Sequence, residues 1–135
     1  MSGAIMVELR KELEAITGLP VSIGYSEDRA DSITLVHLGT VPSEAAFGML
    51  TKRATYDISN VSIAINCKRY ETLIGTLKHI SNRFDQTFGE LGGLNVMLSD
   101  QQSYYERFVE DARRHVGTVD YRFLHKPIVT TSEAS

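Results

Sequence analysis

Residues 61–77 read VSIAINCKRYETLIGTL and contain the change from an extended to a helical pattern that decides the fold. In the first seven residues apolar and polar side chains alternate, which predicts a half-buried strand. From Tyr70 onward apolar residues recur every three or four positions, which predicts a long helix over 70–91 that ends at Gly92 and Gly93. A strand that leads directly into an amphipathic helix indicates helices packed on a sheet.

The strand pattern starts upstream of this stretch and covers 55–67, but its facing changes on the way. Tyr56 and Ile58 have the opposite parity to the apolar residues that follow them. One extra residue, a β-bulge near Ser59 and Asn60, would restore the facing. A break into two strands is the alternative.

Toward the N-terminus, 4–17 predicts a first helix that ends at Gly18, because apolar residues recur at helical spacing. Next, 20–26 and 32–38 predict two short strands. The five residues between them, 27–31, are mostly charged, so we expect a hairpin with a solvated tip. A long connection, 39–54, follows, and we assign it a short helical turn at 43–50.

Toward the C-terminus, 94–99 predicts a short strand and 116–125 a last strand. Residues 101–116 fit either a helix that begins with a capping box at Ser103, or extended chain around a polar turn at 110–114. The element order predicts an α+β fold, with a mostly antiparallel sheet of about five strands flanked by an N-terminal helix and a long central helix. We expect one domain over 1–127 and a polar tail, 128–135.

Length, charge and cysteine content limit the classes of function that the chain can have. The chain has 135 residues and a mass of 15.0 kDa, with 14 Lys and Arg against 17 Asp and Glu, so its net charge is −3. A general nucleic-acid binder carries a basic excess, which this chain lacks. One cysteine excludes an intrachain disulfide, and without a recognisable signal peptide we expect a reducing compartment. No apolar run is long enough to span a membrane.

Motifs for catalysis are missing from the sequence: it has no phosphate loop, nucleophile elbow, zinc-protease motif or dinucleotide fingerprint. The histidines are scattered, and we interpret them as surface or strand-edge residues, although the fold could bring His37 and His125 together. Cys67 precedes two cations that would favour a thiolate, but its strand parity favours a buried structural role. Tyr70, Phe84 and Phe88 fit a core stripe better than a base-stacking platform. We therefore expect neither enzyme activity nor a cofactor or metal.

Four segments give the chain a resemblance to a known family. They are a short helix ending in Gly18 with the strand 21–25 after it, the strand opening at 31–35, the strand-to-helix passage 61–70, and the acidic-to-basic turn 110–115 that leads into the last strand. In this order they resemble the tail terminator proteins of long-tailed bacteriophages, over most of 5–126. The resemblance favours extended chain around 110–114.

The resemblance implies a structural protein of the virion tail or neck, assembled in the host bacterial cytoplasm. It implies a homohexameric ring that caps the tail tube, ends its polymerisation and joins the head through a neck connector protein. Genome DNA would pass through the lumen without sequence-specific binding, and no membrane is involved.

Candidate contact residues follow from composition. Charged residues at the expected hairpin tip suit a lumen or tube-facing rim, and the small basic clusters suit contacts between subunits. The tip residues are Glu27, Asp28, Arg29 and Asp31, and the basic residues are Lys52, Arg53, Lys68, Arg69, Arg113 and Arg114. Alternatives are another neck or head-completion protein, a small-molecule-binding regulatory domain, and an enzyme that uses Cys67 or a histidine.

Overall fold

The computed structural model describes residues 3–24, 31–42, 57–85, 89–91, 94–110 and 112–125. These form one sheet in the order β1-β2-β3-β6-β5-β4, together with two helices. In chain order the elements are α1 (Gly3–Thr17), β1 (Val21–Ile23), β2 (Ser32–Pro42), β3 (Asp57–Cys67), α2 (Tyr70–Phe84), β4 (Gly89–Leu91), β5 (Leu94–Val109) and β6 (Arg114–His125). Every strand pair except β1–β2 is antiparallel, which confirms the α+β prediction.

The core lies between the two helices and one face of the sheet. Alternate residues of β2, β3 and β6 are buried against apolar residues of α1 and α2 in a single cluster. Burial of a large aliphatic or aromatic side chain contributes about 1.5–3 kcal/mol, so this face supplies most of the stability. An ion pair between Arg83 Nε and Glu12 Oε2, at 2.6 Å, links the helices beside the core.

Helix α1 ends as its sequence predicts. Gly18 has a φ of +74°, the left-handed conformation that glycine adopts without steric cost, and its N–H donates to the carbonyl of Glu14 at 3.0 Å. The Thr17 hydroxyl donates to the carbonyl of Leu13 at 2.6 Å. These two bonds engage the carbonyls of Leu13 and Glu14 in the last turn of the helix, just before β1.

The hairpin predicted from 20–26 and 32–38 is wrong, because β1 and β2 run parallel. The N–H of Ile33 donates to the Pro20 carbonyl at 2.9 Å, and the N–H of Gly24 donates to the Leu35 carbonyl at 2.6 Å. Alternation of apolar and polar residues reports which face of a strand is buried and carries no information on strand direction.

The central helix is shorter than the 70–91 prediction, since α2 ends at Phe84 and β4 occupies 89–91. Tertiary contacts account for the early end. Asp85 is extended and accepts a hydrogen bond from the Tyr121 hydroxyl at 3.0 Å, while the carbonyl of Phe84 accepts one from Ser99. The expected end at Gly92 and Gly93 lies outside the described residues.

Strand β3 is continuous, so the predicted bulge near Ser59 and Asn60 is wrong, and so is the alternative of a break into two strands. Ser59 is buried on the same face as Val61, and β3 pairs with β6 without a register shift. The shift lies on the neighbouring strand, between His37 and Gly39 of β2. An extra residue changes the facing only of the strand that carries it, so Ile58 stays on the face opposite to Ser59 and Val61.

Residues 101–109 are extended, as the resemblance favours, and the alternative helix is wrong. Part of the expected connection 39–54 is also strand, since β2 continues to Pro42. The predicted helical turn at 43–50 and the polar tail 128–135 lie outside the described residues.

Candidate interaction surfaces

Three of the predicted contact residues meet at one corner of the sheet. Asp31 Oδ1 accepts hydrogen bonds from the backbone N–H of Lys68 at 2.9 Å and from Arg114 Nη2 at 2.7 Å. Arg114 Nε also donates to Asn66 Oδ1 at 2.5 Å. These bonds fix the segment before β2 to the ends of β3 and β6, so the charges of Asp31 and Arg114 are engaged within the subunit.

Cys67 lies against this corner and is fully buried. Burial raises the pKa of its thiol to about 11, and the carboxylate of Asp31 adds to the effect while Arg114 opposes it. The thiolate is the nucleophilic form of cysteine. A buried thiol that stays protonated at neutral pH fits the structural interpretation of this residue.

The other predicted cations are exposed where they are described. Arg69 Nε lies 3.4 Å from Glu71 Oε1, but both side chains are mostly solvated, so the pair contributes little. Arg113 occupies the turn between β5 and β6 with a φ of 54°. The remaining candidates lie outside the described residues: Glu27, Asp28, Arg29, Lys52 and Arg53.

Strands β2 and β5 each have one edge that is only partly paired, β2 with the short strand β1 and β5 with the short strand β4. β1 covers only Ile33, Thr34 and Leu35 of β2, and β4 covers only 94–96 of β5. Among the described residues, no strand pairs with the rest of either edge. Large apolar side chains are exposed on both strands: Val36, Leu38 and Val41 on β2, and Tyr105 and Phe108 on β5. Unpaired strand edges with apolar side chains favour pairing with another chain.

A surface pocket of about 310 Å³ lies where the start of α2 meets the turn end of the β5–β6 hairpin. Its walls are three rings, two charged residues and one aliphatic side chain: Tyr70, Phe108, His115, Glu106, Arg107 and Leu73. The rings of Tyr70 and His115 meet edge to face at 5.4 Å between centroids, and those of Phe108 and His115 are tilted at 4.8 Å.

Glu106 is the fixed charge of this pocket. Tyr70 donates to its Oε1 at 2.9 Å, and Tyr104 donates to its Oε2 at 2.6 Å. The two hydrogen bonds, Tyr104 first, lower the pKa of the carboxyl below its ordinary value. The group is therefore an oriented carboxylate at neutral pH.

Gly117 leaves the space that this arrangement needs. A Cβ at this position of β6 would lie 2.8 Å from Leu73 Cδ1 and 2.9 Å from the Tyr104 hydroxyl. Both distances are shorter than packed atoms tolerate. The absence of a side chain at Gly117 lets Tyr104 lie across the sheet against α2 and reach Glu106.

A chain of hydrogen bonds joins His37 and His125, the two strand histidines that the fold could be expected to bring together. His37 Nε2 is 2.8 Å from Thr40 Oγ1, which is 2.7 Å from Ser59 Oγ, and Ser59 Oγ is 2.7 Å from His125 Nε2. Ser59 is 0% exposed and His125 1% exposed, so the interpretation of His125 as a surface histidine is wrong. A substrate cannot reach a fully buried serine, and the chain satisfies polar groups inside the fold.

The sequence interpretation missed the pocket. The sequence predicts a core stripe of Tyr70, Phe84 and Phe88, but Tyr70 is 43% exposed, whereas Phe84 belongs to the core. Phe88 lies outside the described residues. The sequence does carry one indication that Tyr70 is exposed: an aromatic residue at the first position of a helix lies at the rim of the packed layer. Its partners on β5 and β6 depend on strand register, which the sequence did not settle.

In the part of the chain that the structure describes, no three His, Cys, Asp or Glu side chains are grouped to hold a metal ion. None of the described helices is long and apolar enough to cross a membrane.

Known proteins resemble this chain in structure only. No protein-family model and no curated protein matches its sequence. A chain of the structure "Virion of native gene transfer agent (GTA) particle" shares the fold, with a TM-score of 0.60, 14% identity, and coverage of 91% of this chain and 92% of that chain. At this identity the likeness establishes a common fold.

Two structures of proteins from Akkermansia muciniphila are more distant. The first, a crystal structure, has a TM-score of 0.47 at 15% identity and matches 95% of this chain and 52% of its own. The second, solved without its transmembrane region, has a TM-score of 0.44 at 12% identity and matches 93% of this chain and 57% of its own.

Proposed function

We propose that this chain is a structural protein of a phage-like virion that acts as a tail terminator. One observation carries the proposal: the gene transfer agent virion contains a chain with this fold over nine-tenths of both molecules. Four segments of the sequence, taken in their order along the chain, resemble tail terminators. One of them is the passage from β3 into α2. The fold likeness supports a structural protein of a virion, and the sequence resemblance supports the more specific role of tail terminator.

The free edges of β2 and β5 suit assembly into a ring. They lie toward opposite sides of the strand order, which is the arrangement that a head-to-tail interface requires. In this proposal the β2 edge of one subunit packs against the β5 edge of the next, and the exposed apolar residues of both edges become buried. Closure at six copies would give a ring that caps the tail tube on one face and contacts the neck connector on the other.

The negative charge of the chain fits a channel for DNA. Six copies carry six times −3, or −18. A wall without a basic excess does not retain phosphates as the polymer slides past. In this proposal Glu27, Asp28 and Arg29 face the lumen or the tube, whereas Asp31 stays bound to Arg114 within the subunit. Changing Glu27 and Asp28 to Lys should slow DNA transit or block joining, and unchanged infectivity of such particles would contradict the placement.

Deletion of the gene from a particle-producing genome tests the proposed role. Without a terminator, electron micrographs should show tails of excessive length that carry no heads. Tails of normal length without heads would instead indicate a head-completion or other neck protein, the alternative that the same fold likeness allows. Complete particles of normal tail length would contradict both roles. Complementation with the intact gene controls for effects on neighbouring genes.

A further inference from the structure

We propose that the pocket between Tyr70, Glu106, Phe108 and His115 receives an arginine or lysine side chain presented by a protein partner. The proposal goes beyond the assembly role and does not depend on it, since it stands on the pocket alone. It assigns a binding function to residues that no motif of the sequence singles out.

Charge selects a cation as the occupant. The carboxylate of Glu106 accepts one hydrogen bond on each oxygen, from Tyr70 and Tyr104. A carboxylate has about four lone-pair directions, so each oxygen can accept one bond more. The fork of a guanidinium matches two such oxygens, and an ammonium matches one. An anion would be repelled at the same place.

The rings around the carboxylate favour the same ligand. The faces of tyrosine and phenylalanine attract cations that lie within about 6 Å of the ring centroid. Tyr70 and Phe108 are 43% and 50% exposed, and both contact the ring of His115. Half-exposed aromatic rings beside an oriented carboxylate form a partial cage with one charged wall.

Size and rigidity fit a side chain. The volume of about 310 Å³ is at the lower limit of small-ligand pockets, so it admits a head group with its last methylenes. Gly117 lets Tyr104 lie against Leu73, and this packing holds the hydroxyl on Glu106 before any ligand arrives. A preformed site loses less conformational entropy on binding.

Arg107 is the one residue of the lining that argues for a different ligand. Its guanidinium makes no ion pair with a carboxylate in the described parts of the chain, Glu106 included. If the pocket bound anions, Arg107 would be the recognition group. If it binds cations, Arg107 is a neighbour whose removal strengthens the binding or leaves it unchanged.

The test is an NMR titration of the full-length protein with arginine capped at both ends by acetyl and methylamide groups. Capped citrulline, which replaces the guanidinium with a neutral urea of the same shape, is the matched control. We expect capped arginine to shift the ring signals of Tyr70, Phe108 and His115 with saturation. Capped citrulline should leave them unmoved. Equal binding of the two probes would overturn the proposal.

Variants separate the pocket from the rest of the surface. Glu106→Gln keeps an acceptor oxygen for one tyrosine and offers an amide N–H to the hydroxyl oxygen of the other, but removes the charge. It should weaken the binding of capped arginine about tenfold, the equivalent of one charge-assisted hydrogen bond. Glu110→Gln removes an exposed carboxylate of the nearby turn and should leave the affinity unchanged. Arg107→Gln should not weaken binding. Undiminished affinity in Glu106→Gln, with its thermal unfolding unchanged, would overturn the proposal, as would a tenfold loss in Arg107→Gln.

Discussion

Each end of β6 carries a histidine. The two histidines lie on the same face of the strand but differ in burial and in the groups around them. His125 is buried and hydrogen-bonded to Ser59. His115 has the same strand parity but lies at the edge of the α2 layer, between the rings of Tyr70 and Phe108. Parity therefore assigns a residue to a face, and the packing above that face decides whether the residue serves the interior or a surface site.

The same contrast holds for the groups around each histidine. Near His125, the hydroxyls of Thr40 on β2 and Ser59 on β3 form a chain of hydrogen bonds that supplies the buried polar groups with partners. Near His115, a tyrosine pair fixes a carboxylate at the surface, where a partner can reach it. Substitutions at the two ends should accordingly differ in their effect on stability.

The largest effect is expected from the phenylalanines of the two regions. Phe84 is 2% exposed and packs edge to face on Tyr121 and Phe123, so Phe84→Ala should lower the free energy of unfolding by about 3–5 kcal/mol. Phe108→Ala, at the open end, should lower it by about 0.5 kcal/mol or less. Urea unfolding followed by circular dichroism measures both. Equal losses would contradict the contrast between the ends.

Gly117, two residues from His115 on β6, comes next because it makes room for Tyr104. Gly117→Ala should destabilise the fold by about 1–3 kcal/mol, since the new methyl overlaps Leu73 and Tyr104. Displacement of Tyr104 should also raise the pKa of the Glu106 carboxyl, which NMR titration measures. Gly75→Ala, in α2 with open space around its Cβ, is the control and should stabilise by about 0.5–1 kcal/mol. A Gly117→Ala protein as stable as wild type would refute the close contact.

The buried hydrogen-bond chain predicts a smaller effect. Ser59→Ala removes the hydroxyl that joins Thr40 to His125 and should cost about 1–2 kcal/mol of unfolding free energy. Ser103→Ala removes an exposed hydroxyl that bonds to Asp120, and should change stability by about 0.5 kcal/mol at most. If the two variants were equally stable, the buried chain would have no energetic role.

The smallest effect is expected from Cys67 and appears only in base. Its pKa is about 11 in the folded chain against 9.0 for an ordinary thiol, so the folded state keeps the proton longer. The resulting stability is present below pH 9 and is lost as the pH rises toward 11. Raising the pH to ~9.5 should lower the free energy of unfolding more in wild type than in Cys67→Ala. The difference between the two decreases should be less than about 1 kcal/mol. Parallel pH profiles would show that the folded and unfolded thiols titrate alike.

Sequence patterns predicted what depends on local periodicity. Both helices, strands β3 and β6, and the glycine end of α1 were found because burial repeats at 3.6 residues in a helix and at two in a strand. The patterns could not give the parallel pairing of β1 or the position of the bulge on β2, since both depend on the neighbouring strand. The predicted central helix is too long because Phe88 and Leu91 continue the helical spacing of apolar residues. The hydrogen bond that Asp85 accepts from Tyr121 ends the helix earlier.

The candidate sites divide in the same way. The exposure of Lys68 and Arg69 could be predicted from their charge. The pairing of Asp31 with Arg114 could not, because the two residues are far apart in sequence. The pocket around Glu106 combines residues from α2, β5 and β6, and only the strand register brings them together.

Assembly into a ring is tested most directly by the mass of the full-length protein, measured by native mass spectrometry alone and after incubation with purified tail tubes. Six copies of 15.0 kDa give 90 kDa, and we expect this mass in solution or on dissociation from the tube ends. A mass of 15.0 kDa under both conditions would contradict the head-to-tail ring and, with it, the proposed use of the free edges of β2 and β5.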